Sequence, residues 1–365
     1  VLSDVRLPTA ETHEQFMAVR RDESRLGPAV SALVSRLGLG DERVERFADG
    51  SLPVYAVGDR HVLKLYPSVA LPEGYDVEHA VLRAVEGRLP IPTPRVSEAG
   101  RLDGWSYILM TRLRGESLAE AWPHIPRDDR MELAAVVGET LAALHSVSSP
   151  AVDAVVGPPD WDGFIRTRRE ACVAHHRADG LDEAWLAQIP GFLDSVELPP
   201  SAPVLLHTEV MREHLRVVRD GDGWRLSGLF DFEPAMRGAR EYEFASVGLF
   251  FSCGEPEILR RLLLAYGYRD SDLGEELSRR LLAYALLHRY SSLACDCPHR
   301  RAPPSAAWPR IGGPCRPGAS RCATGRPHRP GCRTAPRGSA ATARPAGTAA
   351  RDAGAGRGRR GRTCG

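Results

Sequence analysis

His207-Thr208-Glu209-Val210-Met211-Arg212-Glu213-His214, followed seventeen residues after His214 by Asp231-Phe232-Glu233-Pro234-Ala235, is the stretch that decides the fold. A short apolar run, Val204-Leu205-Leu206, leads into the first segment and reads as a buried strand. Between the two segments, Leu215 to Val218 and Trp224 to Phe230 bracket Asp220-Gly221-Asp222-Gly223, which predicts a β-hairpin. A carboxylate- and imidazole-bearing segment therefore precedes the hairpin and another carboxylate segment follows it, as expected of a hairpin at a cleft.

Upstream, the chain carries one lysine, Lys64, against 47 arginines. Such a bias is expected of GC-rich coding, and a lysine that survives it marks a place where arginine's wide planar fork does not serve. Lys64 lies in Val62-Leu63-Lys64-Leu65-Tyr66, an apolar run that reads as a strand. An inward ammonium on a strand is a device for holding nucleotide phosphates; a solvated strand face is the bland alternative.

The rest of the body fills in around these points. Residues 12–40 read as helix, with Val30, Leu33, Val34 and Leu37 at helical spacing. Val44 to Phe47 opens a strand, Gly50-Ser51-Leu52-Pro53 is a turn, and Val54 to Val57 and His61 to Tyr66 are strands joined at Gly58-Asp59. Val77 to Val85 reads as helix, Pro90, Pro92 and Pro94 interrupt the chain, and Tyr107 to Met110 is another strand. Met131 to Val147 sets Leu133, Val137, Leu141 and Leu144 on one helical stripe, and helices run from Glu233 to about Ala294. The expected class is α+β: a small β-rich lobe over residues 1–115 and a larger, mainly helical lobe over 116–294.

Composition divides the chain at residue 294. The body carries 33 basic and 45 acidic residues, whereas residues 295–365 carry 15 arginines and only Asp296 and Asp352 as acids. Two cysteines, Cys172 and Cys253, lie in the body, which suits a reducing cytosol rather than a disulfide framework. The charged stretch from Val1 to Arg21 predicts no secretory leader, and no apolar run approaches membrane-spanning length, so a cytoplasmic protein is expected. Residues 295–365 contain no Leu, Val, Phe or Tyr and cannot bury enough apolar surface to order themselves. A nucleic-acid-binding arm, a metal site begun by Cys295, Cys297 and His299, and GC-rich DNA read in the wrong frame are the competing readings, and composition favours the last.

The order of these parts supplies what phosphoryl transfer from ATP requires. A glycine turn at Gly50 precedes Lys64, Glu78 follows on a helix, and the carboxylates of Glu209 and Asp231 come later, with His214 between them. Residues 30–290 resemble the aminoglycoside phosphotransferases, relatives of choline kinases with a two-lobed protein-kinase-like fold. That family's motifs read His-Gly-Asp-x4-Asn and Asp-[Phe/Trp]-x-x-Ala. The second, with Met236-Arg237-Gly238 and Tyr242-Glu243-Phe244-Ala245 after it, is most similar to hygromycin B kinases.

The resemblance implies ATP and Mg²⁺ as cofactors and a cationic antibiotic as substrate. It gives Lys64 to the α- and β-phosphates with Glu78 orienting it, and Gly50 and Ser51 to the triphosphate. It places adenine against a hinge from Met110 to Leu113, the metal on Asp231 and His214, and the catalytic base at Glu209. Glu243 is expected to brace the loop after Asp231. Three departures stand out: Glu209 in place of Asp, His214 in place of Asn, and Thr208 in place of Gly. The added methylene moves a carboxylate by about 1.5 Å, and imidazole is a poor Mg²⁺ ligand. A kinase of another small alcohol, such as a sugar, an amino alcohol or a nucleoside antibiotic, and a nucleotide-binding pseudokinase are the alternatives. Nucleic-acid binding rests on the tail alone, and nothing in the sequence sets the oligomeric state.

Overall fold

The structure, a computed structural model, describes residues 6–48, 50–67, 69 and 74–293. The readings of residues 295–365 lie outside the described residues. The N-terminal half carries helices α1 (His13–Val19) and α2 (Glu23–Arg36), strands β1 (Val44–Arg46), β2 (Val54–Val57) and β3 (His61–Pro67), helix α3 (Gly74–Val85), and strands β4 (Val96–Leu102) and β5 (Trp105–Thr111). The strands form one antiparallel sheet in the order β1-β2-β3-β5-β4, with β3 and β5 in its interior.

Two features of this sheet matter for the site. In β3, Leu63 and Leu65 face one way and Lys64 and Tyr66 the other, as period-2 alternation requires. Lys64 is held in register between Val54 on β2 and Ile108 on β5. In α3, Val77, Val81 and Val85 make a buried stripe, and Glu78 and Leu82 extend it, so an acid lies on the packed face of an amphipathic helix.

The expected helix over residues 12–40 is two helices. Thr12 and Gln15 close a capping box at the start of α1, and the chain resets at Asp22, whose extended backbone starts α2. Strand β4 has no counterpart in the sequence reading. It is an edge strand, largely polar, joined to β5 by Asp103-Gly104, both at positive φ (51° and 80°), the geometry of a two-residue hairpin turn.

From β5 the chain passes through Arg112–Gly115 into β6 (Glu116–Ser117) and α4 (Leu118–Ala121). Helices α5 (Arg127–His145), α6 (Pro150–Val155), α7 (Trp161–Ala178), α8 (Glu183–Leu186) and α9 (Ile189–Asp194) follow. Then come β7 (Val204–Leu206), β8 (Leu215–Asp220), β9 (Gly223–Leu229) and β10 (Met236–Gly238). Last are α10 (Arg240–Ser246), α11 (Pro256–Tyr266) and α12 (Glu275–Leu287). The hairpin expected around Asp220–Gly223 is β8–β9, and β7 pairs with β10. Among the described residues no helix is long and apolar enough to cross a membrane.

Helix α12 ends at Leu287 rather than continuing to Ala294, because His288 turns to extended backbone (φ −61°, ψ 136°). Helix α5 lies along α11, and the two backbones come close at Gly138. A Cβ built there would sit 2.2 Å from the Leu262 carbonyl oxygen. The helices must separate to admit any side chain at this position. Gly138→Ala is therefore expected to lower the unfolding free energy by about 1–3 kcal/mol, despite alanine's better helix propensity; a urea midpoint at or above wild type would contradict the close approach.

Candidate active site

Pairing β7 with β10 and β8 with β9 sets the loops 207–214 and 230–235 side by side. Phe230 N donates to the His214 carbonyl (3.2 Å) and Thr208 Oγ1 to the Pro234 carbonyl (2.9 Å), which fastens one loop to the other. Lys64 reaches this pair of loops from the sheet. Its Nζ donates to Glu78 Oε2 at 2.7 Å and to Asp231 Oδ1 at 2.6 Å, and Glu233 Oε2 lies 3.6 Å away. Lys64 is 7% exposed and Glu78 1%. Tyr66, on the same face of β3, donates its hydroxyl to the same Glu78 oxygen at 2.7 Å.

Burial alone lowers an ammonium's pKa, but Asp231, Glu78 and Glu233 reverse the sign, and Lys64 is held well above its ordinary value. Burial pushes Asp231 up, yet Lys64, with His214 second, holds it well below the usual carboxylate range. Both groups are thus charged across the physiological range.

On the far side of Asp231, His214 Nε2 lies 3.3 Å from Oδ2. The other ring nitrogen, Nδ1, donates to the Glu209 carbonyl oxygen at 2.9 Å. One donor atom each from Glu209, His214 and Asp231 lies within 4.8 Å of the others, a cluster able to hold a cation. The structure thus brings Lys64, Glu78, Glu209, His214 and Asp231 together. Gly50 and Ser51 occupy the turn before β2, with Gly50 at φ 115°. Met110 is buried in β5, while Leu113 packs its δ-carbons near Gly228 of β9.

A second set of groups, all buried, fixes the backbone of the 207–214 loop. The Glu243 carboxylate, on α10, accepts the His207 N–H at 2.6 Å and the Thr208 N–H at 2.9 Å. Its target is the loop before β8, not the loop after Asp231 as expected from the sequence. Thr208 takes φ 70°, a left-handed conformation a β-branched residue rarely adopts, which is the physical content of a Thr where the related motif has Gly. Besides Glu243, Thr208 is held by Pro234 and by His288, whose Nε2 donates to its carbonyl at 3.0 Å.

His207 donates Nε2–H to the Phe230 carbonyl at 3.0 Å and accepts the Glu209 N–H on Nδ1 at 3.3 Å. It is a loop anchor, and burial lowers its pKa to about 4 against the pull of Glu243. Burial with Arg289 nearby lowers His288 to about 3. Tyr66, Glu233 and His288 had no assigned part in the sequence reading. Tyr66 was legible in the alternation of β3; His288 left no trace beyond ending an apolar helix.

Two expectations follow. Glu243→Ala strands two buried N–H donors and should cost roughly 2–4 kcal/mol of stability in urea unfolding, more than Glu243→Gln, which keeps an acceptor; equal losses would remove the brace. His207 and His288 lie below the ordinary imidazole value near 6.5, so below that pH the unfolded chain binds more protons than the folded one. Stability should fall as pH drops from about 6.5 toward about 4, each imidazole contributing up to about 1.4 kcal/mol per pH unit. His288→Gln should flatten that slope; an unchanged slope would mean this imidazole does not titrate on unfolding.

Among proteins of curated function none matches this chain in sequence. Solved structures do match its fold. The GDP complex of wild-type aminoglycoside 2′-phosphotransferase-IIIa is 16% identical, with a TM-score of 0.59, over 70% of this chain and 86% of that one. The GDP and kanamycin complex of an aminoglycoside phosphotransferase of the 2″ class is 19% identical, with a TM-score of 0.56, over 67% and 83%. The macrolide 2′-phosphotransferase of Brachybacterium faecium is 21% identical, with a TM-score of 0.53, over 70% and 87%. Residues 43–282, which span the sheet, the Lys64 cluster, both loops and most of α12, match the phosphotransferase enzyme family, and the chain belongs to that family.

Proposed function

We propose that this chain transfers the γ-phosphoryl group of ATP to a hydroxyl of an aminoglycoside-type antibiotic. The observation that carries the reading is the meeting of Lys64, seated on Glu78, with Asp231, Glu209 and His214 where the sheet faces the two loops. Lys64 takes the α- and β-phosphates, exchanging its contact with Asp231 for phosphate oxygens, while Glu78 keeps the ammonium in place. Gly50 and Ser51 cover the triphosphate, and Met110 to Leu113 receive adenine.

Asp231 and His214 would hold the divalent cation that phosphoryl transfer uses, which would offset negative charge on the triphosphate. The excess of carboxylates around Lys64 fits such an ion: Glu78, Asp231 and Glu233 all lie within 4 Å of one ammonium. Glu209 accepts the alcohol proton as the alcohol oxygen bonds to the γ-phosphorus. The bond from that phosphorus to the bridging oxygen breaks, and ADP leaves. Anchoring of the Glu209 backbone by His207 Nδ1 and His214 suits a loop that must place a longer carboxylate.

The acidic body favours a polycationic acceptor by steering. Kanamycin in one structural neighbour supports that class. A hydroxyl of a macrolide or another small alcohol is the second reading, because a macrolide phosphotransferase shares the fold.

The test is phosphate transfer from ATP and from GTP to a panel of aminoglycosides, aminocyclitols and macrolides. Lys64→Met and Glu209→Gln should each lose about 10²–10⁴ in kcat/KM. Transfer to macrolides alone would move the acceptor class. Nucleotide binding without transfer to any acceptor would sink the enzyme reading in favour of a pseudokinase.

A further inference from the structure

We infer that the cation centre of this chain is built for a first-row transition-metal dication rather than Mg²⁺, with His214 as the selecting ligand beside Asp231. The inference rests on the phosphotransferase reading above and concerns which ion that site takes.

The tautomer of His214 is set by the backbone. Nδ1 faces a carbonyl oxygen at 2.9 Å and donates to it, so Nε2 is the ring atom left to meet a cation. Nε2 lies 3.3 Å from Oδ2 of Asp231, whose other oxygen takes the Lys64 ammonium at 2.6 Å. Donor atoms sharing one six-coordinate ion at about 2.1 Å sit about 3 Å apart when adjacent and about 4.2 Å when opposite. The Nε2–Oδ2 distance already matches adjacent positions. The Glu209 carboxylate, within 4.8 Å of both, is near enough to take a proton beside the ion.

The donor set is then one imidazole nitrogen and one carboxylate, with the Glu209 base close by. Mg²⁺ prefers hard oxygen and parts reluctantly with its waters, whereas imidazole binds increasingly well along the series from Mn²⁺ through Fe²⁺ to Co²⁺. An asparagine at 214 would offer an amide oxygen and no such preference. The hydrogen bond from Nδ1 to the Glu209 carbonyl is also the kind of orienting contact found behind metal-bound histidines, and it ties the ring to the backbone of the neighbouring base.

Mn²⁺ is the member of the series that gains least from imidazole, so it is the sternest probe. Mn²⁺ and Mg²⁺ affinities are measured for the full chain with a non-hydrolysable ATP analogue, by calorimetry and by loss of the free Mn²⁺ spin-resonance signal. The ratio of Mn²⁺ to Mg²⁺ affinity should fall about tenfold or more in His214→Asn. Pulsed spin resonance on the wild-type Mn²⁺ complex, with and without the nucleotide analogue, should show coupling to a histidine nitrogen that the variant lacks. An unchanged ratio, or no nitrogen coupling in the wild type, overturns the inference whether or not His214→Asn folds. Failure of the analogue to bind would instead count against the phosphotransferase reading, and the nucleotide-free Mn²⁺ spectrum still decides the ion.

Discussion

One ammonium buried among carboxylates sets the terms for the whole molecule. Stripping a charge of its water costs several kcal/mol, and only partners at hydrogen-bond distance repay it. Lys64 has those partners from two directions: Glu78 from α3 and Asp231 from the loop after β9. To deliver them, β3 must hold its register against β2 and β5, α3 must bury an acid, and the chain 167 residues downstream must return beneath the sheet. The site and the seam of the fold are therefore one object. Glu78 seats the ammonium before any ligand arrives, so a phosphate has only to displace Asp231 from it.

Rigidity beneath that seam comes from groups that never touch it. Glu243 gives its carboxylate to two consecutive N–H groups, and His288 closes on the carbonyl of the second residue. A left-handed threonine costs on the order of 1–3 kcal/mol and survives only where its surroundings leave no alternative. The bonds around Thr208 do that. They place Glu209 one residue beyond a fixed point, which is where a lengthened carboxylate most needs control.

Much of this was legible in the residues. The alternation of β3 and the lone lysine within it gave the sheet and its charged face, and the turn signal at Asp220–Gly223 gave the hairpin between the two loops. Edge strand β4 was not legible, because its solvated side chains carry no apolar period; its Asp103-Gly104 turn was the available clue. The break between α1 and α2 depends on capping geometry at Thr12 and Asp22 rather than on hydrophobic spacing. His288 and the true target of Glu243 were out of reach. Hydrogen bonds to backbone 80 and 35 residues away leave no periodic trace in a sequence. Chemistry close to the lysine was readable; the scaffold that holds the neighbouring loop was a tertiary fact.

The scarcity of lysine has one more consequence. Reagents that acylate ε-amines find a single side-chain target in this chain, and it is buried in an ion pair at the centre of the cleft. Modification there is a direct gauge of how often the cleft opens. Any occupant that covers the ammonium slows it, so the chain carries its own reporter of ligand occupancy in the one residue that its arginine-rich composition left unreplaced.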